Sequence, residues 1–425
     1  MSDYRLETKC VQSGYTPKNG EPRFAPIVQS TTFKYDDGEQ VGKLFNLEKD
    51  GYFYSRLANP TVDVVEKKIC DLEGGVGAIC CASGMAAIML AIMNIVHAGE
   101  HIIATNAIYG GSFNLLNVTL PKLGIETTFV PTDISEEDLR KEVRDNTRLI
   151  YSETVTNPGL EVLDLSMFAQ VAHDNRIPFC VDNTFATPIN CRPIEYGADL
   201  VVHSTSKYMD GHAVAMGGCI VDSGNFDWAA SGKFPEFTEP DESYHGVVYT
   251  KQFGKAAYIT KARTQVMRDT GMIMSPNTAF LLNLGLDTLA LRVQRHCENA
   301  QKVAEYLAAN DKVERVFFPG LKGDAYYEMA QKYMPQGTSG VVSFIVKGGR
   351  EKAMDFMAQL KLAMICVHVA DARTCILHPA SSTHRQMSDE QLKAAGIEGG
   401  QIRLSVGIEN VDDIIADLEQ GFAAI

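Results

Sequence analysis

Hydrophobic and polar positions follow two alternating periods along the chain from about residue 63 onward. The helical period of VDVVEKKICDLEG predicts a helix that ends at Gly74, and the short apolar run GAICCAS after it predicts a strand. The same order repeats to about residue 203, with one helix predicted to end at Gly99 and another to begin at Ser135. Because helices alternate with strands, several of them apolar on both faces, we expect a mostly parallel sheet that is covered on both sides.

Other parts of the chain depart from this alternation. Residues 1–62 carry several prolines, a charged stretch and no sustained period, so we interpret them as an arm. After residue 223 comes a long aromatic segment with Pro and Gly, whose composition favours an ordered, packed loop. A long helical region follows, and the last part mixes helices with strands. We therefore expect an arm (1–62), a large α/β domain (63–290) and a smaller C-terminal α+β domain (291–425).

Composition and charge argue against some classes of binding partner. The 425 residues include 39 Lys and Arg against 53 Asp and Glu, and the formal charge of −14 argues against nucleic acid or an anionic membrane. The longest apolar run, 85–96, is far shorter than the roughly 20 residues of a membrane span. The first residues lack the apolar core of a signal peptide, and the cysteines are scattered without a C-x-x-C pair. We therefore expect a soluble protein of the reducing cytoplasm, with no membrane partner.

Three segments place polar chemistry at the ends of predicted strands. In CASGMAA a strand ends at Ser83 and a helix begins at Gly84, and the free N–H groups of a helix start can bind phosphate. Asp182 ends the apolar strand IPFCVDN, at the sheet edge where open α/β folds bind ligands. Lys207 follows a buried-type strand among hydroxyl residues, where partial burial would lower its pKa and make it an amine nucleophile. Taken singly, the first two also fit an ordinary turn or a capping residue.

Together these segments contain the parts that pyridoxal 5′-phosphate requires. A phosphate seat, an aspartate that keeps the pyridine nitrogen protonated, and a lysine 25 residues later would hold this cofactor as an electron sink. We therefore predict pyridoxal phosphate as the cofactor. His97 and His101 have the spacing of zinc ligands on a helix, but Gly99 breaks the helix between them, so we predict no metal site.

The motifs SGMAA, VDNT and HSTSKY resemble the Cys/Met-metabolism family of pyridoxal-phosphate enzymes, which has the aspartate-aminotransferase fold, fold type I. The resemblance extends over essentially the whole chain, through YSRLANPT, ETVTNPG, LHPASSTH and IRLSVGIE. It implies a transferase of the α/β class, with a mostly parallel sheet in a large domain and a smaller C-terminal α+β domain.

The resemblance also implies a role for each matching residue. Lys207 would form the Schiff base with the cofactor, Asp182 would pair with its ring nitrogen, and Tyr109 would stack on the ring as a possible acid or base. Arg403 would bind the substrate carboxylate; the alternation in QIRLSVG supports this independently, because Arg403 points away from its apolar neighbours. The resemblance implies further cofactor contacts from Tyr54, Arg56, Ser83, Gly84, Met85, Asn157, Thr184, Ser204 and Ser206. Of these, Asn157 and Tyr54 would also contact the substrate.

Tyr54 and Arg56 lie in the predicted arm. The resemblance implies that they reach the phosphate bound in a neighbouring subunit. The protein would then be an obligate oligomer, and we expect a homotetramer that is a dimer of dimers with shared active sites.

The insertion after Lys207 and the run Tyr109-Gly110-Gly111 favour one activity within the family. Both are similar to members that replace the acetyl ester of O-acetyl-L-homoserine with sulfide, or with a small thiol such as methanethiol. The products would be L-homocysteine, or methionine, and acetate. Methionine γ-lyases generally have a cysteine in place of Gly111, and the cystathionine enzymes lack the insertion. Methionine γ-lyase chemistry, cystathionine γ-synthase chemistry and a non-catalytic ligand-binding protein remain as alternatives.

Two residues near the expected substrate carboxylate depart from the family pattern. Ala370 stands where the family commonly has Gly, and His368 stands where an Asn or Ser is frequent. The preferred ester and the preferred thiol therefore stay open.

Overall fold

The computed structural model describes residues 4–382, 385 and 398–425, which form two β-sheets. The first sheet contains the strands β1 (Gly77–Cys81), β2 (His101–Thr105), β3 (Glu126–Val130), β4 (Thr147–Glu153), β5 (Phe179–Asp182), β6 (Leu200–His203) and β7 (Gly218–Asp222). The second contains β8 (Val313–Phe317), β9 (Val341–Val346), β10 (Met364–Ile365), β11 (Cys375–Leu377) and β12 (Gln401–Ser405). The last two residues of the LHPASSTH motif lie outside the described residues.

Helices surround both sheets, and none within these described ranges is long and apolar enough to cross a membrane. The α-helices are α1 (Leu6–Gln12), α2 (Gly38–Phe45), α3 (Pro60–Glu73), α4 (Gly84–Met93), α5 (Gly110–Asn114), α6 (Glu136–Glu142), α7 (Leu165–Asp174), α8 (Thr187–Asn190), α9 (Trp228–Ser231), α10 (Pro235–Thr238), α11 (Tyr249–Phe253), α12 (Ala257–Lys261), α13 (Arg268–Thr270), α14 (Pro276–Asp287), α15 (Leu289–Ala309), α16 (Tyr327–Tyr333), α17 (Gly349–Gln359) and α18 (Val411–Ala423).

The first sheet has the strand order β1-β7-β6-β5-β4-β2-β3. Strands β2 to β6 run parallel, which confirms the expected mostly parallel sheet. Strand β7 runs antiparallel to both β1 and β6. The alternation of helices and strands does not predict β7, because only a loop joins it to β6. That loop carries Lys207, at the edge where β4, β5 and β6 also end.

The first sheet is buried on both faces, as the apolar strands predict. Successive residues of β5 and β6 enter opposite cores: Val181 and Val201 belong to one, and Cys180 and Val202 to the other. Helices α3 and α7 pack on the first face, and α4 and α12 pack on the second. With both faces closed, polar side chains from these strands meet a ligand only at the strand ends.

The helix ends follow local capping, with one departure from the sequence prediction. Helix α3 starts after Asn59, whose side chain accepts a hydrogen bond from the Thr61 N–H, and it ends as predicted at Gly74 with φ of 83°. Helix α4 ends at Met93 rather than at Gly99, so that prediction is wrong. The carbonyl of Asn94 instead accepts a hydrogen bond of 3.0 Å from the buried Lys261 ammonium.

The aromatic segment after residue 223 is ordered and packed, as its composition predicts. The Trp228 ring is 3 % exposed and stacks on Phe237 at 4.5 Å and on Tyr258 at 5.3 Å between ring centroids. Large aromatic surfaces buried in this way stabilise a segment that has little regular structure. The segment therefore forms part of the second core of the large sheet.

The predicted arm contains two short helices, α1 and α2, within an otherwise mostly extended segment. Helix α1 packs on α3 and α15 and buries Cys10, whereas most of α2 is exposed. Helix α3 begins at Pro60, inside the range predicted as arm. All ten cysteines are free, in line with the expectation that their spacing is unsuited to bridges.

The second sheet has the order β10-β11-β12-β9-β8, and all its strands come from the C-terminal part of the chain. Helix α15 packs into both regions: Val293 and Cys297 lie in a core of the first sheet, and Val303 and Leu307 lie in the core of the second. The boundary predicted at residue 290 therefore falls in the first turn of a helix that links both cores.

Candidate active site

A cavity of about 520 Å³ lies at the carboxyl ends of β4, β5 and β6, closed on one side by the second sheet. The sequence-predicted residues that line it are Ser83, Gly84, Met85, Tyr109, Asn157, Asp182, Thr184, Ser204, Ser206, Lys207 and Arg403. They come from separate segments of the chain that strand order brings to one edge. The cavity is therefore the candidate active site.

The start of α4 and the loop after β6 meet at one wall of the cavity. Ser83 caps α4 by accepting a hydrogen bond of 3.1 Å from the Ala86 N–H. A Cβ atom on Gly84 would lie 2.7 Å from Ser204 Cβ, so only glycine permits this approach. Ser206 Oγ accepts from the Gly217 N–H at 2.9 Å, which fixes the other end of the loop. Backbone N–H groups of a helix start and nearby hydroxyls form a seat suited to phosphate.

Asp182 ends β5 and faces the cavity. Its Oδ1 atom accepts hydrogen bonds from the Thr184 N–H at 3.0 Å and from the Thr184 hydroxyl at 2.5 Å. The same hydroxyl accepts from the Ser204 N–H at 2.8 Å, so Thr184 connects the aspartate to the lysine loop. Burial raises the pKa of Asp182, although the hydrogen bonds from Thr184 oppose this shift. A cation or a protonated nitrogen at this place would stabilise the carboxylate.

Lys207 extends into the cavity from the turn that follows β6. Burial lowers the pKa of its ammonium group, and the nearby Arg403 guanidinium lowers it further. Buried Arg292 donates hydrogen bonds of 2.6 Å to the carbonyl of Tyr208 and to that of Gly285, which anchors the turn to α14. Lys207 is thus an amine of reduced basicity on a fixed segment, as a nucleophile requires.

Arg403 enters the cavity from β12 and is 7 % exposed. Its neighbours Ile402 and Leu404 lie in the core of the second sheet, as strand alternation predicts. The guanidinium donates to Asn157 Oδ1 at 3.3 Å and to the Val367 carbonyl at 3.1 Å, while its Nε has no hydrogen-bond partner among the described residues. Burial lowers the pKa of Arg403. A buried guanidinium with an unpartnered N–H suits an anionic ligand such as a carboxylate.

Tyr109 stands at the start of α5 and is 50 % exposed. Its backbone N–H donates to Glu153 Oε1 at 2.7 Å. Glu153 ends β4 opposite Asp182 in the strand register, and burial followed by the Asp182 charge raises the pKa of Glu153. The glutamate therefore holds the tyrosine backbone at the cavity mouth.

Tyr54 and Arg56 are not among the residues that line this cavity. They line a second one, which lies between the arm and the aromatic insertion. The Arg56 guanidinium lies 5.1 Å from the Tyr54 ring centroid, and its Nη1 donates to the carbonyl of Arg268. The structure of a single chain therefore separates these two predicted cofactor contacts from the other eleven site residues.

Sequence reasoning missed several residues of the cavity. Glu153 ends a buried strand, so the rule that found Asp182 would also have found it. His368 lines the cavity with its Nδ1 atom 3.4 Å from Lys207 Nζ, although the sequence marked it only as a departure. The cavity has an exposed apolar rim, formed by Val214, Met216 and Val367. Sequence pattern could not predict it, because a single apolar residue in a loop does not show that it borders a ligand site.

Ala370, the second departure from the family pattern, has a positive φ of 68°. An L-residue pays about 1–2 kcal/mol for this backbone conformation, whereas glycine adopts it freely. The Ala370 N–H donates to Ser405 Oγ at 2.7 Å, which holds the strained residue in place. The glycine that the resemblance leads one to expect here is thus explained by backbone geometry.

Comparison with known proteins identifies the family of the chain. The family described as "Cys/Met metabolism PLP-dependent enzyme" matches residues 7–423, and the chain belongs to that family. Its cofactor is therefore pyridoxal 5′-phosphate, and the resemblance inferred from the motifs is confirmed. The residues present fit the cofactor. The glycine wall at Gly84, a buried carboxylate at Asp182 and an amine of lowered pKa at Lys207 share one cavity.

Relatives resemble the chain along its entire length. An O-acetyl-L-homoserine sulfhydrylase of Leptospira meyeri is 43% identical, with 100% of this chain and 98% of that protein covered. A homocysteine synthase of Schizosaccharomyces pombe is 44% identical, with 98% of this chain and 97% of that protein covered. The crystal structure of a Campylobacter jejuni protein named as an O-acetylhomoserine (thiol)-lyase, which holds a pyridoxyl-lysine phosphate, has a TM-score of 0.95 at 35% identity. The match covers 99% of this chain and 100% of that one. The fold-type-I expectation is confirmed.

Substituting Gly84 with alanine should weaken cofactor binding. Relief of the close contact with Ser204 would move the start of α4 away from the lysine loop, at a cost of about 1–3 kcal/mol. We expect the dissociation constant for pyridoxal phosphate to rise about 10-fold or more. Equilibrium titration of the apo protein measures it. Gly42→Ala is the control because nothing lies within 4 Å of its Cβ position, and equal affinities for both variants would contradict the cradle.

Proposed function

We propose that the protein catalyses γ-replacement on O-acetyl-L-homoserine, with sulfide or a small thiol such as methanethiol as the second substrate. The products are L-homocysteine, or methionine, and acetate. The observation that carries the proposal is the convergence of Lys207, Asp182 and Arg403 in one cavity of a chain whose relatives bear sulfhydrylase and homocysteine synthase names.

Bound pyridoxal phosphate supplies an electron sink that stabilises negative charge on the carbons of the substrate amino acid. In this proposal Ser83, Gly84, Met85, Ser204 and Ser206 hold the phosphate. Asp182, oriented by Thr184, holds the proton of the ring nitrogen, and this contact would lower its raised pKa.

Arg403 binds the substrate carboxylate, with Asn157 orienting the guanidinium by the hydrogen bond between them. Lys207, when free, removes the α-proton and then assists removal of a β-proton. Its lowered pKa supports this role, because a larger fraction of the amine is neutral at physiological pH. Tyr109, at the cavity mouth, holds or delivers a proton near the departing acetate and stacks on the cofactor ring.

The composite site forms part of the same proposal. Tyr54 and Arg56 of one subunit would reach the phosphate, and Tyr54 the substrate, in its neighbour. Their place in a cavity apart from their own chain's site and the 38 % exposure of Tyr54 support this role. The assembly would be a homotetramer made of two dimers with shared sites. We also propose that the three-part division (1–62, 63–290 and 291–425) and the cytoplasmic location hold, the latter supported by ten unpaired cysteines.

The activity is tested by incubating the holoenzyme with O-acetyl-L-homoserine and sulfide. We expect acetate and homocysteine in equal amounts, and we expect Lys207→Ala to lose essentially all turnover because no amine remains to move the protons. Lys255→Ala, a lysine that does not line the cavity, is the control. Release of 2-oxobutyrate and methanethiol from methionine, without acetate release from the ester, would favour a γ-lyase. Turnover by Lys207→Ala would contradict the scheme.

The shared site is tested by mixing two defective variants. Arg56→Ala should weaken cofactor binding about 10-fold or more, through loss of a charged contact to phosphate. At a cofactor concentration near the wild-type dissociation constant, where Arg56→Ala keeps little activity and Lys207→Ala none, co-refolding should give about one quarter of wild-type turnover, because half of the dimers then hold one intact site. Arg23→Ala, an exposed arm variant, should be active alone. An inactive mixture of correctly assembled variants would contradict a shared site.

A further inference from the structure

His368 contacts the reacting amine directly. It lies between β10 and β11, and its Nδ1 atom is 3.4 Å from Lys207 Nζ. Its Nε2 atom is buried and has no hydrogen-bond partner within the described part of the chain. The His368 carbonyl accepts from Cys375 Sγ at 3.1 Å, which fixes the backbone of the residue. One ring nitrogen thus faces Lys207, while the other is buried without a hydrogen bond to the described residues.

An imidazole offers Lys207 something that an amide or a hydroxyl at this position does not. Neutral imidazole accepts a proton near physiological pH, whereas the side chains of Asn and Ser do not. The Lys207 ammonium must lose a proton before its nitrogen can act as a nucleophile. With the imidazole proton on Nε2, Nδ1 has a lone pair directed to a donor, and the ammonium is the donor within reach.

Burial and the Lys207 charge together favour the neutral form of the His368 ring. The charged groups that shift its pKa are Lys207, Asp371, Asp210 and Arg403, and the titratable Cys375 thiol donates to its carbonyl. Burial lowers the pKa of His368, and the Lys207 charge lowers it further, against the two carboxylates. Burial and Arg403 also lower the pKa of Lys207. The lowered pKa of His368 favours a neutral imidazole, and the lowered pKa of Lys207 means that its ammonium group loses a proton more readily than a free lysine does.

We propose that His368 is the base that deprotonates the Lys207 ammonium when the chain takes up its cofactor, an inference that rests on the proposed role of Lys207. One N–H bond of Nζ breaks and one forms at His368 Nδ1, which leaves a neutral amine and an imidazolium. The amine adds to the aldehyde carbon of pyridoxal phosphate and water leaves. The imidazolium returns to the neutral form by losing its proton to solvent.

The test measures how fast apo protein takes up pyridoxal phosphate at different pH values, by stopped-flow absorbance. His368→Gln retains a hydrogen-bonding side chain but accepts no proton. We expect it to load roughly 10-fold or more slowly than wild type at pH 7, with final affinity within about 3-fold. The wild-type loading rate should fall as pH falls through the His368 ionisation, below the usual imidazole pKa, and this limb should be absent from the variant.

Two further variants separate proton transfer from a structural role. Added imidazole should restore fast loading to His368→Ala, because free base can enter the space that the side chain leaves. His212→Gln is the matched control: this histidine bonds the Asp210 carbonyl and does not line the cavity, so its loading rate should equal that of wild type.

Loading of His368→Gln at the wild-type rate would overturn the inference. Slow loading that imidazole fails to restore, accompanied by a lower melting temperature, would overturn it as well. The proposed function fails separately: normal wild-type loading without acetate release from O-acetyl-L-homoserine would refute that activity and leave the role of His368 intact.

Discussion

The close approach of the start of α4 to the loop after β6 is the constraint on which the site depends. Gly84 lies against Ser204 where a side chain has no room, and a Cβ on Gly218 would lie 2.2 Å from the Ser83 carbonyl oxygen. Backbones from the ends of β1 and β6 and from the start of β7 are therefore in direct contact. This contact sets the distance between the phosphate seat and Lys207, and Thr184 joins Asp182 to the same loop.

Burial of charge gives this site its chemistry. The chain carries a net charge of −14, yet Lys207 and Arg403 concentrate positive charge in the cavity. Burial lowers the pKa of both cations and raises that of Asp182, so each group would be stabilised in its charged form by a partner of opposite charge. An anionic phosphate, a carboxylate and a protonated ring nitrogen would supply those partners. Near Asp182, His203 Nε2 and Glu73 Oε1 form a buried hydrogen bond of 2.6 Å, so removing either side chain would leave a buried polar atom without this partner.

Strand periodicity predicts much of this arrangement from sequence. Because parallel strands end at one edge, the positions of Ser83, Asp182 and Lys207 after apolar runs predict that they converge, and all three line one cavity. The alternation around Arg403 predicts its orientation for the same reason. Local sequence does not determine the end of α4, since a distant lysine takes the Asn94 carbonyl. It also does not predict β7, which pairs with strands remote in the chain.

Contacts between residues distant in the chain account for the other site features that the sequence does not predict. The approach of His368 to Lys207 joins two sheets across 161 residues, and no local pattern encodes it. The separation of Tyr54 and Arg56 from the cavity follows from the packing of the arm on the insertion, which only the folded chain displays. The positive φ of Ala370 likewise appears only in the backbone.

Every proposed proton transfer requires that Lys207 carries the cofactor, which borohydride reduction of the holoenzyme followed by peptide mapping would establish. Reduction fixes the cofactor to its amine. We expect a single labelled peptide, one that contains Lys207, and no labelling of this peptide in Lys207→Ala. A stoichiometric label on any other lysine, with Lys207 unmodified, would show that Lys207 does not carry the cofactor.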